Sequence, residues 1–517
     1  GTNPSAGIVE TSQASLFDDY VGGNNYSWGW HLVDGDLFNG GSVSASTPGT
    51  LAVNTRGCIA FDTATGKLWT GQLSGSTITW DNSGDPAAGS NPITSSIPTS
   101  TTWSVAVSGR NSCAISLFTT STDFEASNIP SAYKAVNLSN FSSPSESDPF
   151  EYFEAKLYTG TGSEIDLDTT NAFQPDFCWI KSRSDAHANW ITDSCRGATE
   201  SLFTNGTSAE QTQAQLVKSF DSDGVTLGTY SQINTSSDNY VAWMIKAGGA
   251  PSATNSAGAG NTPTAGSVKI DGSNLGSGLA GSIPVTKLTA NTKLGFSIGT
   301  YTGTGSAGTI AHGLGVVPEM VIVKKRAGDD TSSWAIYHSG LDASAPEDKY
   351  ILLDAQSAVA DLDGMWNDTA PTTSVFSVKD TQSTNESSDT YVFYCFAPSP
   401  FISIGGYEGN AAADGAFVPT IGSSGVPIQP VFHLTKDIDV VGPWVIADTS
   451  RSPYNPQANQ LQPNLPNAEV TAYTTDIVTG GFKLTTSNSY TNGSSTFIYM
   501  AIGTPIISKS GDMLAGR

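Results

Sequence analysis

The side chains that could do chemistry are few and widely spaced in this 517-residue chain. None of its histidines stands in the HExxH spacing that places two imidazoles on a zinc ion. The chain also has no GxSxG turn for a nucleophilic serine and no GxxxxGK[ST] loop for phosphates. We therefore predict that the protein is not an enzyme and has no catalytic, cofactor-binding or metal-binding residues. The histidines are His31, His187, His312, His338 and His433.

Two close pairs of aspartates raise the alternatives of glycoside hydrolysis and Ca²⁺ binding: Asp166 with Asp168, and Asp361 with Asp363. Hydrolysis needs two carboxyl groups about 5–10 Å apart across a sugar, which sequence spacing does not establish. The run from Asp361 to Gly364 resembles only the beginning of a Ca²⁺ loop. We interpret these acids as residues of solvated loops.

A third polar pattern occurs twice. Asp193-Ser-Cys-Arg196 and Asp448-Thr-Ser-Arg451 each follow a tryptophan at a similar distance. Aspartate and arginine three residues apart can form a charge-assisted hydrogen bond across a turn. We interpret both as structural ion pairs, with a ligand site as the alternative. A third place in the chain has His338-Ser-Gly-Leu341 instead, which weakens the idea of a shared site.

The chain has five cysteines, an odd number in no metal-ligand or disulfide-framework spacing. They are Cys58, Cys113, Cys178, Cys195 and Cys395. We expect buried free thiols, as in a protein made in a reducing compartment. A Cys178–Cys195 bridge is the leading exception.

Composition predicts an all-β protein. The 54 glycines and 26 prolines supply turns, and the apolar residues stand in short β-branched and aromatic runs such as Val321-Ile-Val323. The formal net charge of −24 argues against a nucleic-acid partner and against docking on anionic lipid. No run of 18 apolar residues is present, so we predict no membrane insertion.

A segment of about 100 residues occurs three times. Each copy opens with a strand pattern that runs into a glycine-rich turn directly after a tyrosine. A proline follows, then a lysine six residues beyond it, and then a tryptophan. Two further strands end the copy. The matched residues are Tyr158, Pro175, Lys181 and Trp190 in module one, Tyr301, Pro318, Lys324 and Trp334 in module two, and Tyr407, Pro430, Lys436 and Trp444 in module three.

Each module is long enough to form a two-layer antiparallel β-sandwich with its own core. We expect the matched tyrosines and tryptophans to be core residues, and the matched lysines to end a strand on its solvent side. Exposed loops at the ends of the sandwich would then carry recognition.

The predicted domains are a first β-sandwich over residues 1–145, module one over 149–248, module two over 293–397 and module three over 398–505, with a C-terminal tail over 506–517. Residues 249–292 contain many small residues and almost no aromatic ones. We predict that they form an extended linker, because they have little apolar surface to bury.

In the first domain, Gly57-Cys-Ile-Ala-Phe61-Asp62 and Gly66-Lys-Leu-Trp69 predict two strands around a tight turn, and Trp103–Val107 predicts a following strand. The hairpin resembles that of the SPRY family, a concanavalin-like β-sandwich. That family opens with a strand that carries an aromatic–Glu pair, and this chain shows none before Gly7. We therefore expect the first strand of the domain to be missing from this sequence.

The run from Phe296 to Arg326 resembles a module of tail-fibre-like proteins from marine and cyanobacterial bacteriophages, where it occurs in tandem and beside SPRY-like domains. Arg451–Pro456 and Gly480–Leu484 resemble later parts of the same module.

The resemblance implies a non-catalytic virion protein, a tail fibre or surface appendage, that is assembled in the host cytoplasm and acts outside the cell. Its implied partners are other virion proteins and a host cell-surface glycan or receptor, and the class implies a homotrimer. Three alternatives stay open: a polysaccharide depolymerase tailspike, a head-surface fibre or decoration protein, and a secreted bacterial adhesin.

Overall fold

The structure is a computed structural model. It describes residues 5–10, 27–32, 35–39, 41–46, 56–74, 77–99, 103–108, 148–327, 331–423, 425–471 and 474–506. The regular secondary structure of these residues is almost entirely β-strand, which confirms the all-β prediction. The chain divides near residue 143 into two compact units.

The first unit contains two antiparallel sheets, with strand orders β4-β3-β2-β1-β8 and β5-β6-β7. The predicted hairpin is confirmed, since β5 and β6 pair from Arg56↔Leu73 to Asp62↔Lys67. Its turn closes with a 2.9 Å bond from Gly66 N to Asp62 O. Trp30 and Leu68 are core residues of this unit. The strands are β1 Ser5–Glu10, β2 Ser27–His31, β3 Asp36–Asn39, β4 Ser42–Ser46, β5 Arg56–Asp62, β6 Lys67–Ser74, β7 Thr77–Trp80 and β8 Trp103–Ser108, with a 3₁₀ turn at Asp81–Ser83.

Module one has a large sheet of order β14-β13-β12-β11-β17-β9 and a small sheet of order β10-β16-β15. Its strands are β9 Phe153–Thr159, β10 Ile165–Asp168, β11 Phe177–Ser182, β12 Trp190–Asp193, β13 Gly197–Phe203, β14 Gln211–Thr212, β15 Val217–Asp221, β16 Gly224–Leu227 and β17 Asn239–Ile245. A 3₁₀ turn at Pro149–Glu151 precedes them, and helix α1 is Ser231–Asn234.

Module two has a large sheet of order β19-β18-β20-β21-β28-β23-β24-β25-β26 and a small sheet of order β22-β27. Its strands are β18 Val268–Ile270, β19 Ser273–Asn274, β20 Val285–Asn291, β21 Phe296–Thr302, β22 Gly308–Ala311, β23 Met320–Ala327, β24 Ala335–His338, β25 Lys349–Leu352, β26 Ala360–Asp361, β27 Val375–Val378 and β28 Thr390–Phe396. It also contains a 3₁₀ turn at Pro346–Asp348 and helix α2 at Asp363–Trp366.

Module three has sheets of order β29-β36-β31-β32-β33 and β30-β35-β34. Its strands are β29 Ile402–Glu408, β30 Phe417–Pro419, β31 Ile428–Asp437, β32 Val445–Asp448, β33 Gln460–Leu461, β34 Thr475–Val478, β35 Gly481–Leu484 and β36 Thr496–Pro505, with helix α3 at Ser489–Asn492.

All three large sheets contain the same run of four strands. In each run, the strand with the matched tyrosine pairs with the last strand of the module. On its other side, that last strand pairs with the strand that carries the matched lysine. The lysine strand in turn pairs with the strand at the matched tryptophan. The runs are β9-β17-β11-β12, β21-β28-β23-β24 and β29-β36-β31-β32. The small sheet covers one face of each large sheet and completes a sandwich core.

The second face of every large sheet is also buried, because the three sheets share one central core. Along β17, Tyr240 and Met244 face the core of module one, whereas Val241 and Trp243 face the central core. The strands are therefore continuously apolar, as is typical of strands buried on both faces. The central core encloses an apolar cavity of about 30 Å³.

The three modules thus form one closed ring and not three successive independent domains. Module one contacts module two, module two contacts module three, and module three contacts module one through equivalent backbone bonds: Glu210 N to Arg326 O at 2.8 Å, Val359 N to Ile438 O at 2.8 Å, and Glu469 N to Arg183 O at 3.0 Å. A repeated head-to-tail contact that returns to its starting module is a closed heterologous ring.

The prediction of an extended linker over residues 249–292 is wrong. Within it, β20 pairs with β21 of module two, and β18 pairs with β20. Val268, Val285 and Leu288 are buried in the core of module two. A few aliphatic residues at the edge of an existing sheet bury enough surface to order the segment, and aromatic residues are not required.

The glycine-rich turn after each matched tyrosine is fastened by a buried asparagine that the sequence analysis did not identify. In module two, Asn385 Oδ1 accepts from Thr304 N at 2.9 Å, and its Nδ2 donates to Ser306 O at 2.7 Å and Lys379 O at 2.6 Å. Asn234 and Asn492 make the same bonds in the other modules.

Within the described ranges, no helix combines the length and apolar character needed to cross a lipid bilayer.

Candidate functional site

Asp193 and Arg196 form a fully buried ion pair at the contact between modules one and two. Asp193 also accepts a 2.8 Å hydrogen bond from the Tyr394 hydroxyl of module two. Glu210 bridges Arg196 and Arg326 of module two. The pair lies inside the ring and holds two modules together, so the interpretation as a structural ion pair is confirmed.

The contact between modules three and one has the same design. Asp448 and Arg451 are fully buried, and Trp243 Nε1 of module one donates to Asp448 at 3.0 Å. Glu469 bridges Arg451 and Arg183 of module one.

The remaining contact, between modules two and three, is built differently. His338 takes the place of the aspartate, and its Nε2 lies 3.1 Å from Tyr499 O. Met500 stands where Tyr394 and Trp243 stand in the other modules, and it has no N–H or O–H to donate. The carboxylate is therefore present only where the neighbouring module offers it a donor.

The matched lysines do not end their strands in solvent, and that prediction is wrong. Lys181, Lys324 and Lys436 are all fully buried. Lys181 Nζ donates to His187 O of its own module and to Pro466 O of the adjacent module three, each at 2.8 Å. Loss of hydration lowers the pKa of Lys181 to about 7 and the pKa values of Lys324 and Lys436 to about 8.

We expect Lys181→Met to remove a pH dependence of stability. The pKa of Lys181 is about 10.5 in the unfolded chain and about 7 in the folded chain. Between pH 7 and pH 10.5, the unfolded state therefore binds more protons than the folded state. The contribution of Lys181 to stability is therefore full above the unfolded value and is lost as the pH falls towards 7. Between pH 7 and 9, the free energy of unfolding of the parent protein should rise by about 1–2 kcal/mol relative to the variant, as measured by urea unfolding.

The control for this prediction is Lys349→Met. A hydrogen bond to Asp361 raises the pKa of Lys349, so this lysine stays protonated over the same range. A difference between parent and Lys181→Met that is equal at pH 7 and pH 9 would contradict the prediction.

The predicted solvated acids do not converge on a site. Asp361 pairs with Lys349 and Asp363 with Lys379. Asp166 accepts from the Thr226 hydroxyl at 3.1 Å. The two carboxylates of the weak Ca²⁺ motif, Asp361 and Asp363, are thus each paired with a lysine.

The cysteines of the described ranges, Cys58, Cys178, Cys195 and Cys395, are buried free thiols, and Cys178 and Cys195 form no bridge. Cys113 lies outside the described residues.

Four of the five histidines are buried in cores. Burial lowers the pKa values of His312, His338 and His433 to about 4, so these three are neutral near pH 7. His187 differs because it is partly exposed.

His187 lies in a cluster with two aspartates. Asp185 and His187 stand in the loop after β11, and Asp238 directly precedes β17. Pairing of β11 with β17 brings these segments together, and one ligand atom from each side chain lies within 4.8 Å of the others. This cluster is not evident in the sequence, because the aspartates are distant in the chain and strand pairing alone makes them neighbours.

The loop is held in place by hydrogen bonds between side chains and backbone groups. Asp185 N donates to Ser182 Oγ at 3.0 Å, and Lys181 Nζ binds His187 O. Asn239 N donates to Ser184 Oγ at 2.9 Å. The two segments that carry the cluster are thereby fixed to each other.

The electrostatics of the cluster are unfavourable as it stands. Asp238 Oδ2 is buried and has no hydrogen-bond partner. Loss of hydration and then the neighbouring Asp185 carboxyl raise the pKa of Asp238. Two adjacent carboxyl groups can share a proton or bind a cation together.

A family model described as a domain of unknown function (DUF7483) matches residues 148–269 and again residues 269–504. The matches span the ring and more than half of the chain. Among curated proteins, none matches this chain.

Proposed function

We propose that this chain, which belongs to the DUF7483 family of domains of unknown function, is a structural protein of a bacteriophage virion. Its role is that of a tail fibre or surface appendage which attaches to a host-surface glycan without cleaving it. The starting point is the resemblance of Phe296–Arg326 to tail-fibre-like modules.

One structural observation supports this role. Most positions that the three modules share are buried, and they fasten the turns, pair the strands or close the ring. The exposed loops differ from module to module. A rigid frame that presents different loops is suited to binding, because the frame fixes the loops and the loops determine what is bound.

The exposed loops carry side chains that suit a sugar. Tyr454 of module three is 81% exposed, and Val441 is 70% exposed. An exposed aromatic ring can stack on the apolar face of a sugar, and its hydroxyl can hydrogen-bond at the rim. The acidic surface favours a neutral or cationic glycan over an anionic one.

The experiment is to incubate the full chain with surface polysaccharides from a panel of marine cyanobacteria. We expect retention of the chain on at least one polysaccharide and no release of oligosaccharides. Release of oligosaccharides would favour the depolymerase, and the absence of binding to the whole panel would contradict the proposal. Antibody labelling of virions in the electron microscope tests the location.

Tyr454→Ala should weaken retention about two- to tenfold, as expected for loss of one aromatic contact. The control is Leu362→Ala, which removes an exposed apolar side chain without a ring. Equal losses in both variants would show that nonspecific apolar contact, and not stacking, causes the retention.

A further inference from the structure

Modules one and two allow a direct comparison of the same position. Asp238 and Asp389 each stand two residues before a matched tyrosine, Tyr240 or Tyr391. In module two, the buried Lys325 forms ion pairs with Asp389 and Glu386. A positive charge therefore neutralises the acids at this corner of module two.

Module one lacks that charge. Ser182 pairs with Tyr240 exactly where Lys325 pairs with Tyr391, so a serine occupies the place of the lysine. Module one nevertheless keeps the aspartate and brings a second one, Asp185, together with His187.

The nearest cationic side chains are engaged elsewhere. Lys181 Nζ donates to backbone carbonyls, and Arg183 pairs with Glu469. Within the described ranges, neither Asp185 nor Asp238 has an ion pair with a lysine or arginine. Asp238 Oδ2, a buried atom without a hydrogen-bond partner, thus lies beside Asp185 and His187 and has no lysine or arginine among the described residues to neutralise it.

We propose that Asp185, His187 and Asp238 bind a divalent metal ion, which supplies the positive charge that Lys325 supplies in module two. The ion satisfies Asp238 Oδ2 and joins the loop after β11 to the segment before β17. The site is independent of the virion role, because it depends only on the difference between modules one and two at this corner.

The ligand set indicates the class of metal. Two carboxylate oxygens and one imidazole nitrogen suit Zn²⁺ and its first-row neighbours. Ca²⁺ and Mg²⁺ prefer oxygen ligands throughout. Three protein ligands leave at least one coordination position for water or for an oxygen of a bound molecule.

The test is calorimetric titration of the full, chelator-treated chain with ZnCl₂. We expect one strong zinc site in the parent chain. The zinc affinity should be at least about tenfold weaker in Asp238→Asn and in His187→Gln, because even residues that only orient a metal ligand affect the affinity by that factor. The matched control is Asp389→Asn, which makes the same change in module two and should leave zinc affinity unaltered. The proposal would be overturned if the parent chain bound zinc no more strongly than an Asp185→Asn/Asp238→Asn double variant. A proton shared by the two carboxyl groups would then be the remaining explanation of the cluster.

A second variant introduces the lysine of module two at the corresponding position of module one. Ser182→Lys places an ammonium group beside Asp238, and we expect it to abolish zinc binding while near-ultraviolet circular dichroism stays that of the folded chain. Zinc binding of parental strength in this variant would overturn the proposal. So would a site that prefers Ca²⁺ and is unaffected by His187→Gln, because the imidazole would then not be a ligand.

Discussion

Replacing Arg196 with leucine is expected to lower the free energy of unfolding by about 3–5 kcal/mol, because it leaves the carboxylate of Asp193 buried without its partner. Asp193 and Arg196 are both fully buried, so water cannot replace the lost guanidinium. Arg196 also supports Glu210, which would keep only Arg326. Urea unfolding of the full chain, followed by tryptophan fluorescence, measures the loss.

The control variant takes its design from module two, which has His338 and Leu341 at the corresponding places. The double variant Asp193→His/Arg196→Leu removes the charge along with its partner. It should therefore lose less stability than Arg196→Leu alone. If the double variant is the less stable of the two, the uncompensated carboxylate is not the cause of the loss.

Asn385→Ala should cost about 3 kcal/mol, since each buried group left without a hydrogen bond costs about 1–3 kcal/mol. The substitution leaves Thr304 N, Ser306 O and Lys379 O without their partner. Through these bonds, Asn385 fastens the glycine-rich turn to the segment directly after β27. Thermal and urea unfolding measure the change.

Asn467→Ala is the matched control. Asn467 is exposed, and its Nδ2 donates only to Gln462 Oε1, at 3.1 Å. A change within about 0.5 kcal/mol is expected there. Similar losses at both positions would mean that Asn385 does not fasten its turn.

The repeat could be predicted from the sequence because its fixed spacings come from strands of constant length. The matched tryptophans are buried as predicted, and the Asp–Arg pairs are structural. The spacing of these residues along the chain is set within each module, and a sequence pattern records such local spacing well.

The ring could not be predicted because its contacts join residues far apart in the chain. A continuous apolar strand such as β28 indicates burial on both faces, yet it does not indicate what covers the second face. In the sequence, a lysine at a strand end that meets water looks the same as one that meets backbone carbonyls. Lys324 donates to Ser332 O of its own module and to Thr207 O of module one. The cluster of Asp185, His187 and Asp238 could not be predicted for the same reason, because strand pairing brings together residues that are distant in the chain.

The joint between modules one and three has a consequence for synthesis. Arg183 pairs with Glu469 and Lys181 with Pro466, so closure must wait until module three has left the ribosome. Until then, the face of module one that bears Trp179 and Trp243 is open to water. Early-emerging domains fold first, and uncovered apolar sheets aggregate. A ribosome that stops before module three therefore releases a fragment that chaperones and proteases should recognise.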